Sequence, residues 1–360
     1  MARFIKTLKK TALAASIASL ATVANATIVT SIKPLGFIAS SIADGVTDTE
    51  VLVPAGASPH DYSLKPSDIQ KLQGAELILW VGEDIDAFLD KTLRPMPFKK
   101  VLSIADFAEI GGLLEGEAHD HKHEHDHDHK HDHDHKHDHE HKHEHDHKHD
   151  HAHKHDHAHK HDHAHKHDHD HKHDHEHKHD HAHGHDHDHS TNWHVWYSPE
   201  ISKIVATGLA TRLTEAYPEK KEKIAQNLAE FNRTLAEQSE KIKQQLAPVK
   251  EKGFYVFHDA YSYFNNAYGL KQTGYFTINP LVAPGAKTLA KIKQEIKEHK
   301  VNCLFAEPQF TPKVIESLSK GTGVHVGRLD PMGDAVKLGV NSYANFLQYT
   351  ADSYFACLSK

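Results

Sequence analysis

Residues 27–56 have the sequence TIVTSIKPLGFIASSIADGVTDTEVLVPAG. Two β-rich runs, TIVTSI and TEVLVPAG, enclose the segment GFIASSIADG, which is typical of a helix that ends at Gly45. A strand, a helix and a second strand in this order are typical of a parallel sheet, because parallel strands need a crossover connection. The stretch therefore predicts an α/β lobe.

The same alternation extends along the chain. ELILWVG and KKVLSIAD are further β-rich runs, and KPSDIQKLQGA and DIDAFLDKTL are predicted helices. After residue 249 the pattern repeats, from the β-rich run GFYVFHDA to the amphipathic segment SYANFLQYTADSYFACL. We therefore predict an N-terminal α/β lobe at residues 27–217 and a C-terminal α/β lobe at residues 249–360.

A long helix is predicted between the two lobes, at residues 218–248. Its apolar residues recur at intervals of three, four and seven, which places them on one helical face: Ile224, Leu228, Phe231, Leu235, Ile242 and Leu246. We expect this helix to connect the lobes. An amphipathic surface helix that belongs to one lobe is the alternative.

Residues 1–26 have the features of a secretory signal peptide. Basic residues precede the apolar run TALAASIASLATV, and the small-residue triplet ANA at 24–26 is a cleavage signal. A retained signal anchor is the alternative, but the run is shorter than the ~20 residues of a membrane span. No later apolar run approaches that length, so we expect an exported protein without a permanent membrane span.

The segment 119–189 has histidine at every odd position, which includes 36 of the 41 histidines in the chain. Its even positions carry 10 Lys and 20 Asp or Glu, so it contributes −10 to a formal net charge of −8 and leaves +2 elsewhere. So little apolar content cannot form a core, and we expect this loop of the N-terminal lobe to be disordered without metal. The remaining chain has no basic stripe, which argues against a nucleic-acid partner.

The chain has two cysteines, Cys303 and Cys357. In an exported protein two cysteines normally pair, because the compartment is oxidising. We expect a disulfide that stabilises the fold by roughly 4 kcal/mol. Two separate buried thiols are one alternative. A metal–thiolate pair is another, although the spacing differs from that of a CxxC knuckle.

Five histidines lie outside the loop. His60 follows the strand and turn VLVPAGASP, His194 lies in a Trp-flanked turn before a helix, and His258 ends the predicted strand FYVF. The carboxyl ends of parallel strands face the ligand crevice, so these three imidazoles can converge between two lobes. Imidazole binds zinc, copper, nickel and cobalt well. For any single histidine a core or surface role is the alternative, and we assign that role to His299 and His325.

Several stretches together resemble the periplasmic zinc-binding proteins of bacterial high-affinity zinc ABC importers: SIKPLGFIASSIADG, GASPHDYSLKPSD, WHVWYSPE, FHDAYSYF, CLFAEPQF and LDPMGDAVKLG. The resemblance covers essentially the whole chain after residue 26 and includes a charged histidine-rich insertion. It implies an α/β fold of two Rossmann-like lobes with parallel sheets, joined by one long rigid helix. It also implies one metal ion in the interlobe cleft, with His60, His194 and His258 as its zinc ligands.

The fourth ligand is left open by the resemblance. Manganese-binding relatives have a carboxylate where this chain has His258, so three nitrogens favour zinc. Asp330 stands where those relatives supply a second carboxylate, and we take it as the tentative fourth ligand. A water molecule and a residue of the histidine-rich loop are alternatives, and a turn-forming role is the alternative for Asp330 itself. Glu307 is interpreted as a structural partner and not as a ligand.

The resemblance implies a monomeric periplasmic protein that captures Zn²⁺ and delivers it to an ABC permease of the inner membrane. We interpret the loop as a low-affinity collector, reservoir or sensor of zinc, because many tethered imidazoles raise the local ligand concentration. A tolerated low-complexity expansion is the alternative.

Two other functions remain for the whole protein: a zinc storage protein that acts mainly through the loop, and a zinc hydrolase. Three histidines with an open position are also a catalytic arrangement, but outside residues 119–189 the chain has no HExxH motif, and we expect no enzyme activity.

Overall fold

A computed structural model describes residues 27–116, 191–310 and 313–360. The predicted signal peptide, residues 1–26, and the histidine-rich loop, residues 119–189, lie outside the described residues. Within the described ranges, no helix combines the length and the apolar character that crossing a membrane requires.

The first lobe contains four strands and three helices: β1 (Thr27–Thr30), α1 (Lys33–Ile42), β2 (Asp48–Val51), α2 (Pro66–Gly74), β3 (Leu77–Trp80), α3 (Asp90–Leu93) and β4 (Val101–Ser103). The strands pair in parallel in the order β2-β1-β3-β4. Residues 27–56 thus contain the predicted strand, helix and strand. The central strands β1 and β3 are largely buried, as expected for strands that are covered on both faces.

The predicted helix over residues 84–93 is wrong in extent, because only α3 is helical. The Asp86 carboxylate accepts hydrogen bonds from the Ser31 hydroxyl, at 2.7 Å, and from the Val81 backbone N–H, at 2.8 Å. These bonds tie the segment to the carboxyl ends of β1 and β3. The chain before α3 therefore forms turns that face the sheet.

A short ribbon flanks the histidine-rich loop. The strand β5 (Glu115–Gly116) pairs antiparallel with β6 (Thr191–Asn192), so Gly116 and Thr191 are direct partners. A 3-10 turn at Val195–Tyr197 follows β6 and leads into α4 (Pro199–Ala216), where the Ser198 side chain accepts a hydrogen bond from the N–H of Ile201. Gly116, before the histidine-rich loop, and Thr191, after it, are therefore neighbours in the first lobe.

The predicted long helix is α5 (Lys221–Leu246), with 3-10 turns at Pro218–Lys220 and Ala247–Val249 on either side. Its 26 residues span about 39 Å. The predicted apolar face is largely buried, and its fully buried members are Ile224, Phe231, Leu235, Ile242 and Leu246. The residue ranges that the sequence assigns to the two lobes stay predictions.

The second lobe contains the elements β7 (Phe254–His258), α6 (Ser262–Tyr268), β8 (Gln272–Thr277), α7 (Ala286–Lys297), β9 (Cys303–Ala306), α8 (Lys313–Thr322), β10 (His325–Arg328) and α9 (Ser342–Leu358). Its strands pair in parallel in the order β10-β9-β7-β8. The expected disulfide forms between Cys303 of β9 and Cys357 of α9, whose Cα atoms are 6.2 Å apart.

Helix α9 also reaches the first lobe. The Ser342 hydroxyl donates a hydrogen bond to the Phe37 carbonyl of α1, at 3.2 Å, and the rings of Phe37 and Phe346 are 5.3 Å apart. One cluster of buried apolar residues contains members of both lobes, of α5 and of α9. The lobes therefore share a continuous core beneath the carboxyl ends of their strands.

Candidate metal centre

Three of the predicted histidines converge between the two sheets. His60 lies in a 3-10 turn after β2 and is partly exposed, whereas His194, after β6, and His258, the last residue of β7, are buried. The three ring centroids are 5.1 to 5.7 Å apart. Each ring offers one nitrogen, and these three nitrogens lie within 4.8 Å of one another. The arrangement can hold a single metal ion.

Two of the imidazoles are fixed by hydrogen bonds at Nδ1. His194 Nδ1 is 2.7 Å from Asn192 Oδ1, and the Asn192 side-chain amide donates to the carbonyl of Asp259. His258 Nδ1 is 2.7 Å from Glu307 Oε1 and 2.8 Å from Oε2, and Glu307 is 2% exposed. Because the partner oxygens can only accept, Nδ1 carries the hydrogen in both rings.

This choice of tautomer leaves two lone pairs facing each other. His194 Nε2 and His258 Nε2 are 3.2 Å apart. When both imidazoles are neutral, as metal binding requires, neither Nε2 atom has a proton to donate, so the two lone pairs repel one another. A cation placed next to both nitrogens turns that repulsion into attraction. The pair is therefore arranged as a bidentate cation ligand, with supporting hydrogen bonds of the kind that orient metal-binding histidines.

The environment keeps His60 and His194 neutral near pH 7. Burial, followed by the electrostatic effect of His258, lowers the pKa of His60 to about 3. Burial also holds the pKa of His194 well below its ordinary value, and His258 and His60 lower it further. Neutral imidazole is the form that binds a metal, so both rings are ready to act as ligands near pH 7.

The cavity at this centre is small, with a volume of about 10 Å³. That volume holds roughly one water-sized sphere. Besides the three histidines, the lining residues are Ser58, Pro59, Trp196, Glu307, Gln309, Phe310, Pro331 and Met332. A space of this size suits a single ion, and it excludes a larger molecule.

Asp330 does not join the three histidines, which form the only such group within the described residues. One oxygen of its carboxylate accepts from Gln309 Nε2, at 2.7 Å, and from the N–H of Met332, at 3.1 Å. The other accepts from the N–H of Asp334, at 2.7 Å. The carboxylate thus stabilises the turn that follows β10, which is the alternative role that the sequence Asp-Pro indicates.

The other two histidines lie elsewhere. His299 is exposed just after α7, with a positive φ of 57°, and His325 is exposed on the edge strand β10. Three supporting residues at the centre were not identified from the sequence as part of the site: Asn192, Gln309 and Asp334. Only Asn192 had a local signal, because an Asn two residues before a histidine can bind that residue's backbone N–H, as it does here at 3.0 Å.

The sequence matches known proteins along nearly its whole length. Residues 28–357 match the family model described as ZnuA, zinc-uptake complex component A, periplasmic. A Haemophilus influenzae protein named High-affinity zinc uptake system protein ZnuA is 66% identical over 355 residues, which are 99% of each chain. A protein of the same name from Haemophilus ducreyi is 51% identical and covers 98% of this chain and 99% of its own.

Solved structures show the same fold. One described as the crystal structure of ZnuA matches with a TM-score of 0.64 at 21% identity, covering 92% of this chain and 99% of its own. The periplasmic zinc-binding protein TroA from Treponema pallidum matches with a TM-score of 0.63 at 16% identity, covering 93% and 100%. At these identities the likeness concerns the arrangement of strands and helices.

Proposed function

Because the chain belongs to the family of periplasmic A components of zinc-uptake complexes, we propose that His60, His194 and His258 bind the Zn²⁺ ion that it carries. The protein is the solute-binding component of the system. It captures Zn²⁺ in the periplasm and delivers the ion to an ABC permease in the membrane. Its role as a carrier requires a site that binds one ion tightly and can also release it.

The observation that carries this proposal is the separation of the two facing nitrogens. Two nitrogens bound to zinc at ~2.05 Å in tetrahedral geometry lie about 3.3 Å apart. His194 Nε2 and His258 Nε2 are 3.2 Å apart, so they can bind the ion without rearrangement. A set of three nitrogens also suits zinc better than it suits manganese, magnesium or calcium, which prefer oxygen.

The fourth coordination position belongs, in this proposal, to a small ligand and not to Asp330. Both oxygens of the Asp330 carboxylate already accept hydrogen bonds, and they lie outside the three-histidine group. Among the described residues, no other His, Cys, Asp or Glu side chain joins the three histidines. Water is therefore the candidate that the geometry favours.

We further infer that the protein is a carrier and not a zinc hydrolase. A hydrolase needs a general base near the metal-bound water. The carboxylate that lines the cavity, Glu307, binds His258 Nδ1 through both oxygens and accepts a hydrogen bond from Tyr261 at 2.9 Å. Its role is therefore to orient a ligand. All three histidines come from one chain, so a monomer is sufficient for the site.

A zinc titration of the chain without residues 119–189 tests this function. The deletion leaves three residues between Gly116 and Thr191, which are already paired, so a short hairpin loop closes the ribbon. We expect one tight equivalent, weakened by His60→Ala, His194→Ala or His258→Ala and unchanged by His299→Ala or His325→Ala. Equal effects from all five variants would refute the ligand set. Loss of all tight binding on deletion would favour the storage function.

A further inference from the structure

The side chain of Gln309 has a fixed orientation at the edge of the zinc cavity. Its Nε2 atom donates a hydrogen bond to Asp330 Oδ1 at 2.7 Å and lies 3.5 Å from Asp334 Oδ2. Both neighbours are carboxylate oxygens, which accept hydrogen bonds and do not donate them. The amide NH₂ group must therefore face the two carboxylates, and the carbonyl oxygen Oε1 must face away from them.

The carbonyl oxygen of Gln309 is buried and has no hydrogen-bond partner in the described part of the chain. Buried polar atoms are normally paired, so an exception next to a ligand cavity points to a partner that the ligand brings. Gln309 lines the same small cavity as the three histidines. When His194 and His258 bind a metal ion, they cannot satisfy this oxygen, because their Nε2 atoms then carry no hydrogen. The Gln309 carbonyl oxygen therefore lacks a hydrogen-bond donor, and a molecule bound in the cavity can supply one.

We propose that Gln309 Oε1 accepts a hydrogen bond from the water molecule that fills the fourth coordination position of zinc, and that this bond slows zinc release. The proposal rests on the proposed function of the three histidines. A zinc-bound water is a strong donor, because the metal withdraws charge from its oxygen. The bond connects the ion to a residue that does not touch the metal itself.

The two aspartates act on the site through Gln309. Asp330 holds the amide NH₂ group, so it is a positioning residue for the carbonyl oxygen. Asp334 lies beside the same amide, and its Oδ2 atom also accepts the backbone N–H of Gly56 at 2.7 Å. Gly56 belongs to the loop of the first lobe that leads to His60. One short chain of hydrogen bonds therefore joins the fourth ligand to the loop that carries a zinc-binding histidine.

The experiment uses the full chain loaded with one equivalent of zinc, so that the tight site fills first. Excess chelator is added and the slow phase of zinc release is measured for the parent, Gln309→Met and Gln309→Leu. We expect release to be about tenfold faster in both variants, the effect of losing one hydrogen bond to a charged group. Gln294→Met, at an exposed glutamine of α7 that bonds to Glu298, is the matched control and should release zinc at the parent rate.

A spectroscopic measurement separates hydrogen bonding from a change of shape. With Co²⁺ in place of Zn²⁺, the visible absorption bands report the ligands and geometry of the metal. We expect Gln309→Met to change these bands and Gln294→Met to leave them as in the parent. Faster release with unchanged bands would mean that Gln309 acts only by packing, and that result would overturn the proposal.

Two further outcomes are decisive. Asp330→Asn should speed release in the parent but add nothing in the Gln309→Met background, since Asp330 acts through Gln309. Additive effects would contradict its positioning role. Complete loss of the tight equivalent in a folded Gln309→Met protein would make Gln309 a direct ligand and overturn the water-mediated bond. Failure of the proposed function looks different, because the parent itself would then bind no tight zinc.

Discussion

The two sides of the metal centre are held in different ways. On one side, His194 and His258 are buried, and a hydrogen bond at Nδ1 fixes each ring. On the other side, His60 lies in a 3-10 turn, is partly exposed, and its ring makes no hydrogen bond within the described ranges. The rings on the first side are fixed by hydrogen bonds, and the ring of His60 is not held in this way.

This difference indicates an order of events in zinc capture. We expect the preorganised pair to bind the ion first, because its nitrogens already have the correct separation and little ordering is needed. His60 then completes the ligand set. In release we expect the reverse order, with His60, whose loop Asp334 holds through Gly56, leaving the ion first.

The largest effect should follow from replacing a ligand of the rigid side. His258→Ala removes one nitrogen and leaves the Glu307 carboxylate buried without its imidazole partner. We expect zinc affinity to fall by more than the ~100-fold that loss of a supporting residue can cost.

His60→Ala should weaken zinc binding less than His258→Ala and should act mainly through faster zinc release, since the preformed pair remains. Zinc titration measures the affinity, and chelator-induced release measures the release rate, of each variant in the loop-deleted protein. Equal losses of affinity in His60→Ala and His258→Ala would contradict the proposed order.

A smaller effect is expected when the support is weakened and the ligand is kept. Glu307→Gln retains an oxygen that can accept from His258 Nδ1 but removes the negative charge behind the ring. We expect about tenfold weaker zinc binding, within the range for such supporting residues. Glu298→Gln, at an exposed carboxylate that pairs with Lys300, serves as the control. An unchanged affinity in Glu307→Gln would show that the charge behind His258 is irrelevant.

Acid should destabilise the metal-free protein through its neutral histidines. The pKa of His60 is about 3 in the folded state, whereas histidine in an unfolded chain titrates near ~6.5. Between these values the unfolded state binds more protons, so the free energy of unfolding decreases as the pH falls from ~6.5 towards 3.

A comparison of two proteins isolates this effect. Burial raises the pKa of Asp86 to about 7, and that group contributes with the opposite sign, since its stabilisation is lost as the pH rises through 7. The test is therefore the difference between the parent and His60→Gln, both metal-free, in thermal melts at pH 5 and pH 7. The variant should lose less stability on acidification. Identical pH dependence in the two proteins would refute a neutral, depressed His60.

The smallest effect on zinc binding at the three histidines should come from deletion of the histidine-rich loop, although this is the largest change in sequence. Deletion of residues 119–189 should remove several weak zinc equivalents and leave one tight equivalent. The weak capacity should also largely disappear near pH 5.5 in the full chain, because most imidazoles are then protonated. Zinc titrations of the full chain and of the deleted form, each at pH ~7 and pH ~5.5, measure the weak and tight equivalents. Weak equivalents that persist at pH 5.5 would show that histidine is not the loop's ligand.

The three histidines were predictable because each follows a recognisable element. His258 ends an apolar strand, His60 follows a strand and turn, and parallel strands bring their carboxyl ends together. Glu307 was predicted to be a structural partner, but its contact with His258 was not predicted, because the two residues are 49 apart in the sequence. Such a contact depends on the neighbouring strands β7 and β9, and no local pattern reports it.

The differences between sequence and structure have tertiary causes. The periodicity over residues 84–93 favours a helix, but the Asp86 carboxylate binds the ends of two strands. Asp330 resembles a ligand by position, yet the N–H groups of its own turn occupy its oxygens. Gln309 has this role only because two carboxylates from the loop after β10 fix its amide. In each case a polar side chain has several possible hydrogen-bond partners, and the sequence does not show which of them it binds in the folded chain.

The continuous apolar core between the lobes has a thermodynamic consequence. Two lobes with separate cores would melt independently, but here α9 is bonded to β9 by the disulfide and packed on α1 through Phe346. Neither lobe can unfold without exposing apolar surface on the other, so calorimetry should record one cooperative transition. An ion bound between the lobes then stabilises the whole described chain at once. Zinc at 1,000 times its dissociation constant would add about 4 kcal/mol to that single transition.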